Sequence, residues 1–166
     1  MRHSPLNNKT SPQSVGALMR RRWQSLNSLP GGKWLFSRII GWYIPYTGSI
    51  GALVWQLEPG HAIVRLRDRR KVRNHLNSIH AIALANLGEL TTGLAALSGM
   101  PANARGILAG LEIEYVKKAR GNLEATCQCS IPATAERLEY RVEAVIKDAE
   151  DEVVATVQAR WLIGPV

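Results

Sequence analysis

Between Asn74 and Ala104 the chain carries a single full formal charge, Glu89. Around it stand Ala, Leu, Gly and a few hydroxyl side chains. A stretch apolar on nearly every side forms a helix buried all round rather than an amphipathic surface helix. The rest of the chain must therefore enclose it. A carboxylate in such a helix needs a hydrogen bond, a shifted pKa or a pocket to face, because unpaired burial of a charge is costly. One reading bonds the Glu89 carboxylate to Asn86, Thr92 or the backbone and gives it no chemistry. Isolated buried carboxylates are rare without a use, which ranks catalysis ahead of that reading.

The enclosing material reads as strands. Ala52–Leu57 and His61–Leu66 flank the turn Glu58-Pro59-Gly60. The apolar helix follows, beginning near Ser78 and ending by Met100-Pro101. Four alternating runs come next: Leu111, Ile113, Tyr115; Leu123, Ala125, Cys127, Cys129; Tyr140, Val142, Ala144, Ile146; and Val153 to Trp161. One apolar and one polar face per strand marks an antiparallel sheet packed on one side. Six strands with one apolar helix after the second predict an α+β arrangement in which the sheet curls around the helix. Such a partly open sheet leaves edges and apolar surface that a second copy can cover.

Upstream, residues 1–12 read as a polar, poorly ordered tail. Residues 13–46 read as a helical extension within one domain that spans 13–166. Val15, Leu18, Met19, Trp23 and Leu26 fall at helical steps, with Ser14 as a cap. Pro30-Gly31-Gly32 breaks the chain, and a second helix over Lys33–Tyr43 ends at Pro45. The formal charge of the chain is +8, and no acid precedes Glu58. A second basic run, Arg65 to Arg73, is relieved only by Asp68. Such patches attract phosphorylated cofactors, anionic lipid or nucleic acid, and the sign alone does not choose. No DNA-binding motif is recognisable, so nucleic acid is not an expected partner.

Trp, Tyr and Arg on short helices suit a membrane interface. Large aromatics also anchor protein interfaces. Packing across the sheet or at a subunit contact therefore ranks first, and a weak membrane-surface contact second. Cys127 and Cys129 would point the same way along a strand and make a poor disulfide. With no further ligands in evidence, neither a zinc site nor any other metal is expected. The N-terminus has no secretory pattern, and Trp34–Tyr46 is too short a span and carries Arg38. The expected compartment is the cytoplasm.

Asn74, His80 and Glu89 carry a more specific signal. The His lies six residues on from the amide, and the acid nine residues on from the His. This resembles the hotdog-fold thioesterase superfamily, in particular the acyl-CoA thioesterases of the phenylacetate-pathway kind. There an amide-bearing loop leads into a His-Gly-Gly helix start, with the acid nine residues on. The resemblance covers residues 51–163 and leaves the Trp-rich N-terminus outside. Two departures stand out: His-Gly-Gly becomes His80-Ala81-Ile82, and the Ser found four residues after the acid becomes Gly93, with Thr92 the nearest substitute.

The resemblance implies hydrolysis of a medium-chain, long-chain or aryl acyl-CoA, with Glu89 as general base or nucleophile. The Ala81 N–H at the helix start would hold the oxyanion, and Asn74 and His80 would position water or carbonyl. Lys117, Lys118 and Arg120 would meet the phosphates of coenzyme A, which enters as part of the substrate. No other cofactor is implied. At about 100° per residue, a nine-residue step puts His80 and Glu89 on opposite sides of one helix. In the resembling family the acid comes from one subunit and the His and amide from its partner, so a homodimer or dimer of dimers is implied. The alternative is a non-catalytic hotdog protein that binds or senses acyl-CoA or a fatty acyl group.

Overall fold

The computed structural model describes residues 15–131 and 136–165, so the expected tail over 1–12 lies outside the described residues. Helix α4 (Ala81–Ser98) occupies the place the charge-poor stretch demands. Leu84, Leu87, Thr91, Thr92, Leu94, Ala95 and Ala96 are all buried, and they take up more than half of the helix circumference. Its mean hydropathy and 18-residue length would suffice to cross a bilayer, yet most of it is packed inside the protein.

Six strands curl around it: β1 (Leu53–Glu58), β2 (His61–Leu66), β3 (Ala104–Tyr115), β4 (Leu123–Gln128), β5 (Leu138–Lys147) and β6 (Val153–Pro165). Their order is β1-β2-β4-β5-β6-β3, and every neighbouring pair is antiparallel. The alternation read from the sequence supplies the core: Val64, Ala125, Ala144 and Val157 face α4 from four adjacent strands and are wholly buried. This is the α+β hotdog arrangement expected from the order of elements.

Three local differences have physical causes. Strand β3 starts at Ala104, well before Leu111, because a bulge between Leu108 and Gly110 interrupts the two-residue period. Helix α4 starts at Ala81 because residues 74–79 are folded into a tight loop, closed by the Arg73–Ile79 bridge. Pro45 ends α2 (Gly32–Tyr43) as expected, and also starts a further turn, α3 (Pro45–Gly48), where its fixed φ and missing N–H suit a first helical position.

The N-terminal extension packs on the domain. Helix α1 (Val15–Leu26) lies against α4, and Arg20 donates to the Ser98 carbonyl that ends it. Trp23 meets Phe36 of α2 edge-on at 5.1 Å. Helix α2 covers the β1 edge, where the Ser37 hydroxyl accepts from the Val54 N–H at 2.8 Å. The opposite edge, β3, carries exposed Ile107, Leu111 and Tyr115.

Candidate active site

Glu89 sits in the third turn of α4, half-buried, on the face it shares with Ile82, Ala85 and Asn86. Residues three, four and seven positions apart on a helix lie on one side. With Tyr46, Thr47 and Leu111 they line an open cavity of 290 Å³. Burial pushes the Glu89 carboxyl above the usual carboxylate range, while a hydrogen bond from the Thr47 hydroxyl pulls it part of the way back. A carboxylate with a raised pKa beside a cavity is suited to taking up a proton.

Thr47 was not legible as a site residue. It belongs to α3, outside the region of family resemblance and far from Glu89 in sequence. What places it there is a backbone contact between α2 and α3: a Cβ on Gly48 would lie 2.5 Å from the Gly41 Cα. Only glycines allow this approach, which folds α3 over the helix. Asn86 ties the same turn down, its amide donating to the Tyr46 carbonyl at 3.2 Å. The Asn86 Oδ1 is buried without a partner among the described residues. The partner of the Glu89 side chain is therefore Thr47 rather than Asn86 or Thr92.

Thr92 lies elsewhere. It is fully buried, and its hydroxyl donates to the Glu89 backbone carbonyl at 3.0 Å. Gly93, where the resembling family often has Ser, packs on Trp161: a Cβ there would come within 3.1 Å of the indole. The ring fills the space that a hydroxyl would occupy. Ile82, more than half exposed, stands at the Glu89 cavity, and its N–H is taken by His80.

His80 and Asn74 form a second cluster. His80 is the N-cap of α4, and its Nδ1 accepts from the Ile82 N–H at 3.1 Å. A neutral imidazole accepting through Nδ1 carries its proton on Nε2, so an exposed N–H donor projects from the helix start. The Ala81 N–H, in the first helical turn, has no intrahelical acceptor. Asn74 organises the preceding loop: its Oδ1 accepts from the Leu76 N–H, the Ser78 N–H and the Ser78 hydroxyl at 3.0–3.2 Å. Tyr115 donates to the Ala81 carbonyl at 3.2 Å.

The basic turn after β3 adjoins this second cluster. The Ala119 carbonyl accepts from the Ile79 N–H at 2.8 Å, which sets Lys118 and Arg120 beside the His80 loop. Both are exposed and make no ion pair among the described residues. Lys117 differs: it is held by Asp148 at 2.6 Å and by Glu152. Its charge is already balanced. Asn74, His80 and Ala81 thus come together with Lys118 and Arg120, while the Glu89 cavity is lined by neither Asn74 nor His80.

Comparison with known proteins identifies the frame. The family model described as "Domain of unknown function (DUF4442)" matches residues 32–163. The chain belongs to this family. A structural-genomics crystal structure, APC5556, is 32% identical with a TM-score of 0.78, and the match covers 90% of this chain and all of that one. A Pseudomonas aeruginosa protein of unknown function, PA5026, described as a probable thioesterase, is 23% identical with a TM-score of 0.69; 83% of this chain and 97% of that one are covered. A thioesterase family protein from Silicibacter pomeroyi is 18% identical with a TM-score of 0.67, over 78% and 96% of the two chains. No curated protein matches the sequence. The DUF4442 member described here thus has the hotdog fold that it shares with these thioesterase-family structures. The family match begins at Gly32, so it takes in α2 and α3, and with them Thr47.

Proposed function

We propose that this protein is an acyl-CoA thioesterase that works as a homodimer, with Glu89 as general base or nucleophile. The observation that carries the reading is Glu89 itself: a carboxylate with a raised pKa on the core helix, opening onto a cavity and bonded by one hydroxyl. The fold shared with thioesterase-family structures supports the reaction class.

Two sites per dimer follow from the separation of the two clusters. In each, Glu89 of one protomer faces the Asn74–Ala81 cluster of the other. Glu89 takes a proton from water as the water oxygen bonds to the thioester carbonyl carbon. The partner's Ala81 N–H, at the positive end of α4, and the His80 Nε2–H hold the oxyanion. Collapse breaks the carbon–sulfur bond and expels the coenzyme A thiolate, which recovers a proton from Glu89. The Asn74 side-chain N–H donors orient the carbonyl, and Lys118 and Arg120 meet the phosphates of the carrier. The exposed, partly apolar β3 edge is the surface through which two copies pair.

One observation favours a second reading. Ile82 projects at the cavity where the resembling thioesterases have glycine, which suits a protein that holds an acyl group without turning it over. A panel of acyl-CoA esters with detection of released thiol separates the two. Hydrolysis of at least one ester, abolished in Glu89→Gln, supports the enzyme. Thermal stabilisation by acyl-CoA without thiol release supports the binding protein.

A further inference from the structure

Helix α2 turns Gly32, Phe36 and Ile40 inward and leaves its other side bare. Trp34, Arg38 and Trp42 follow one another at four-residue steps, with Leu35 and Tyr43 beside them. Trp34 is 62% exposed, Trp42 78% and Tyr46, on the next turn, 70%. Aromatic rings with this exposure are far from a packing role within the chain. Trp34 and Trp42 also wall a cavity of 340 Å³ whose lining includes two guanidinium groups, Arg38 and Arg69, and no carboxylate. Arg38 lies 5.9 Å over the Trp34 ring, and Arg69 spends one N–H on the Ile50 carbonyl. The remaining donors of both are available to an anion.

We infer that this face docks on an anionic phospholipid surface, with Trp34 and Trp42 at headgroup depth and a lipid phosphate between Arg38 and Arg69. Indoles and tyrosines on a short helix with interspersed cations have the chemistry of an interfacial anchor. A second copy of the chain fits less well. A two-fold contact sets the same patch against itself, bringing Arg38 and Arg69 of each copy together with no acid in the lining to offset them. The sequence before Glu58 has no acid at all, so the neighbouring surface adds attraction to an anionic membrane. This inference does not depend on the thioesterase reading.

The test is cosedimentation of the full chain with vesicles of phosphatidylcholine alone or with phosphatidylglycerol, at low and high salt. Binding to the anionic vesicles at least tenfold above that to the neutral ones, weakened by salt, is expected. Arg38→Glu and the double variant Trp34→Ser, Trp42→Ser change exposed side chains, so both should fold, and each should lose at least tenfold in binding. Brominated lipids should quench wild-type tryptophan emission far more than that of the double variant, because Trp23 and Trp161 are buried and the remaining indole, Trp55, lies outside the cavity lining with Lys33 and Arg65 against its ring. Equal binding to both vesicle types, no binding, or binding unaffected by either variant overturns the inference. So does a change of oligomeric state in the tryptophan variant, which would assign the face to a second copy.

Discussion

The two halves of the proposed site are built in opposite ways. The carboxylate half is finished by one chain: Glu89 lies on the core helix, half-buried, and α3 lays Thr47 against it. The carbonyl half is open: His80, the Ala81 N–H, Lys118 and Arg120 stand around the exposed start of the same helix. A raised carboxylate pKa needs low-dielectric surroundings, which a single chain can supply. Donors for a substrate must stay accessible until the substrate arrives. One chain thus holds two unlike clusters apart, and in the proposed function a second copy joins them.

The largest effect comes from breaking each half separately and recombining them. Glu89→Gln and His80→Ala should each lower kcat by on the order of 10² or more, as loss of a proton acceptor or an oxyanion donor does. Refolded together in equal amounts, the two variants should recover about a quarter of wild-type activity. Half of the dimers would be mixed, each with one of two sites intact. Sites contained within one chain would recover nothing. Glu89→Gln should also change stability in a defined direction. The folded pKa of Glu89 lies above its unfolded value, so its favourable contribution is fully present below the unfolded pKa and is lost as pH rises through the folded one. Thermal melts should therefore show the variant gaining on wild type as pH rises.

Next in size is the surface proposed to join the halves. Ile107 on β3 is 56% exposed, so Ile107→Asp should leave the fold intact while setting charge on the pairing edge. Sedimentation should show a shift toward monomer, with activity falling about tenfold or more in proportion to the dimer lost. A monomer with unimpaired turnover would overturn the shared-site reading, because it would place both halves within reach in one chain.

How far these halves were legible follows from what kind of signal each leaves. The enclosed helix and most of the sheet are written in short-range periodicity, and Val64, Ala125, Ala144 and Val157 stand where alternation places them. Glu89 was legible because a charge in an apolar run has few structural explanations. Thr47 was not, since its contact with Glu89 depends on the Gly41–Gly48 approach and has no local pattern. Thr92 was the nearest hydroxyl by spacing, but its side chain turns back to the Glu89 carbonyl within the helix. The family resemblance also grouped Lys117 with Lys118 and Arg120, whereas Asp148 and Glu152 reach across from the β5–β6 turn and claim it. Residues whose roles depend on distant strands leave no mark on the sequence around them.

The carboxylate half can be sharpened through Thr47. Its hydroxyl lowers the Glu89 pKa against the effect of burial, so Thr47→Val removes the opposing contribution and the pKa rises. A smaller fraction of Glu89 is then ionised at a given pH. The acidic limb of the kcat/KM profile should move to higher pH, with a severalfold loss on the acid side that shrinks as pH rises. A uniform loss at all pH values would mean that Thr47 shapes the cavity rather than the proton affinity of Glu89.

The smallest effects belong to the rim of the carbonyl half, and they separate neighbours in sequence. Lys118→Ala and Arg120→Ala should each raise KM for an acyl-CoA roughly threefold at unchanged kcat, since an exposed cation contributes little to binding a phosphate in water. The same ester on a truncated carrier without the nucleotide phosphates should show no such rise. Lys117→Ala should leave KM alone, because its ammonium already answers Asp148 and Glu152. If Lys117→Ala raised KM as much as the other two, the ion pairs would have to open when substrate binds. The turn would then be a moving part of the site instead of a fixed rim.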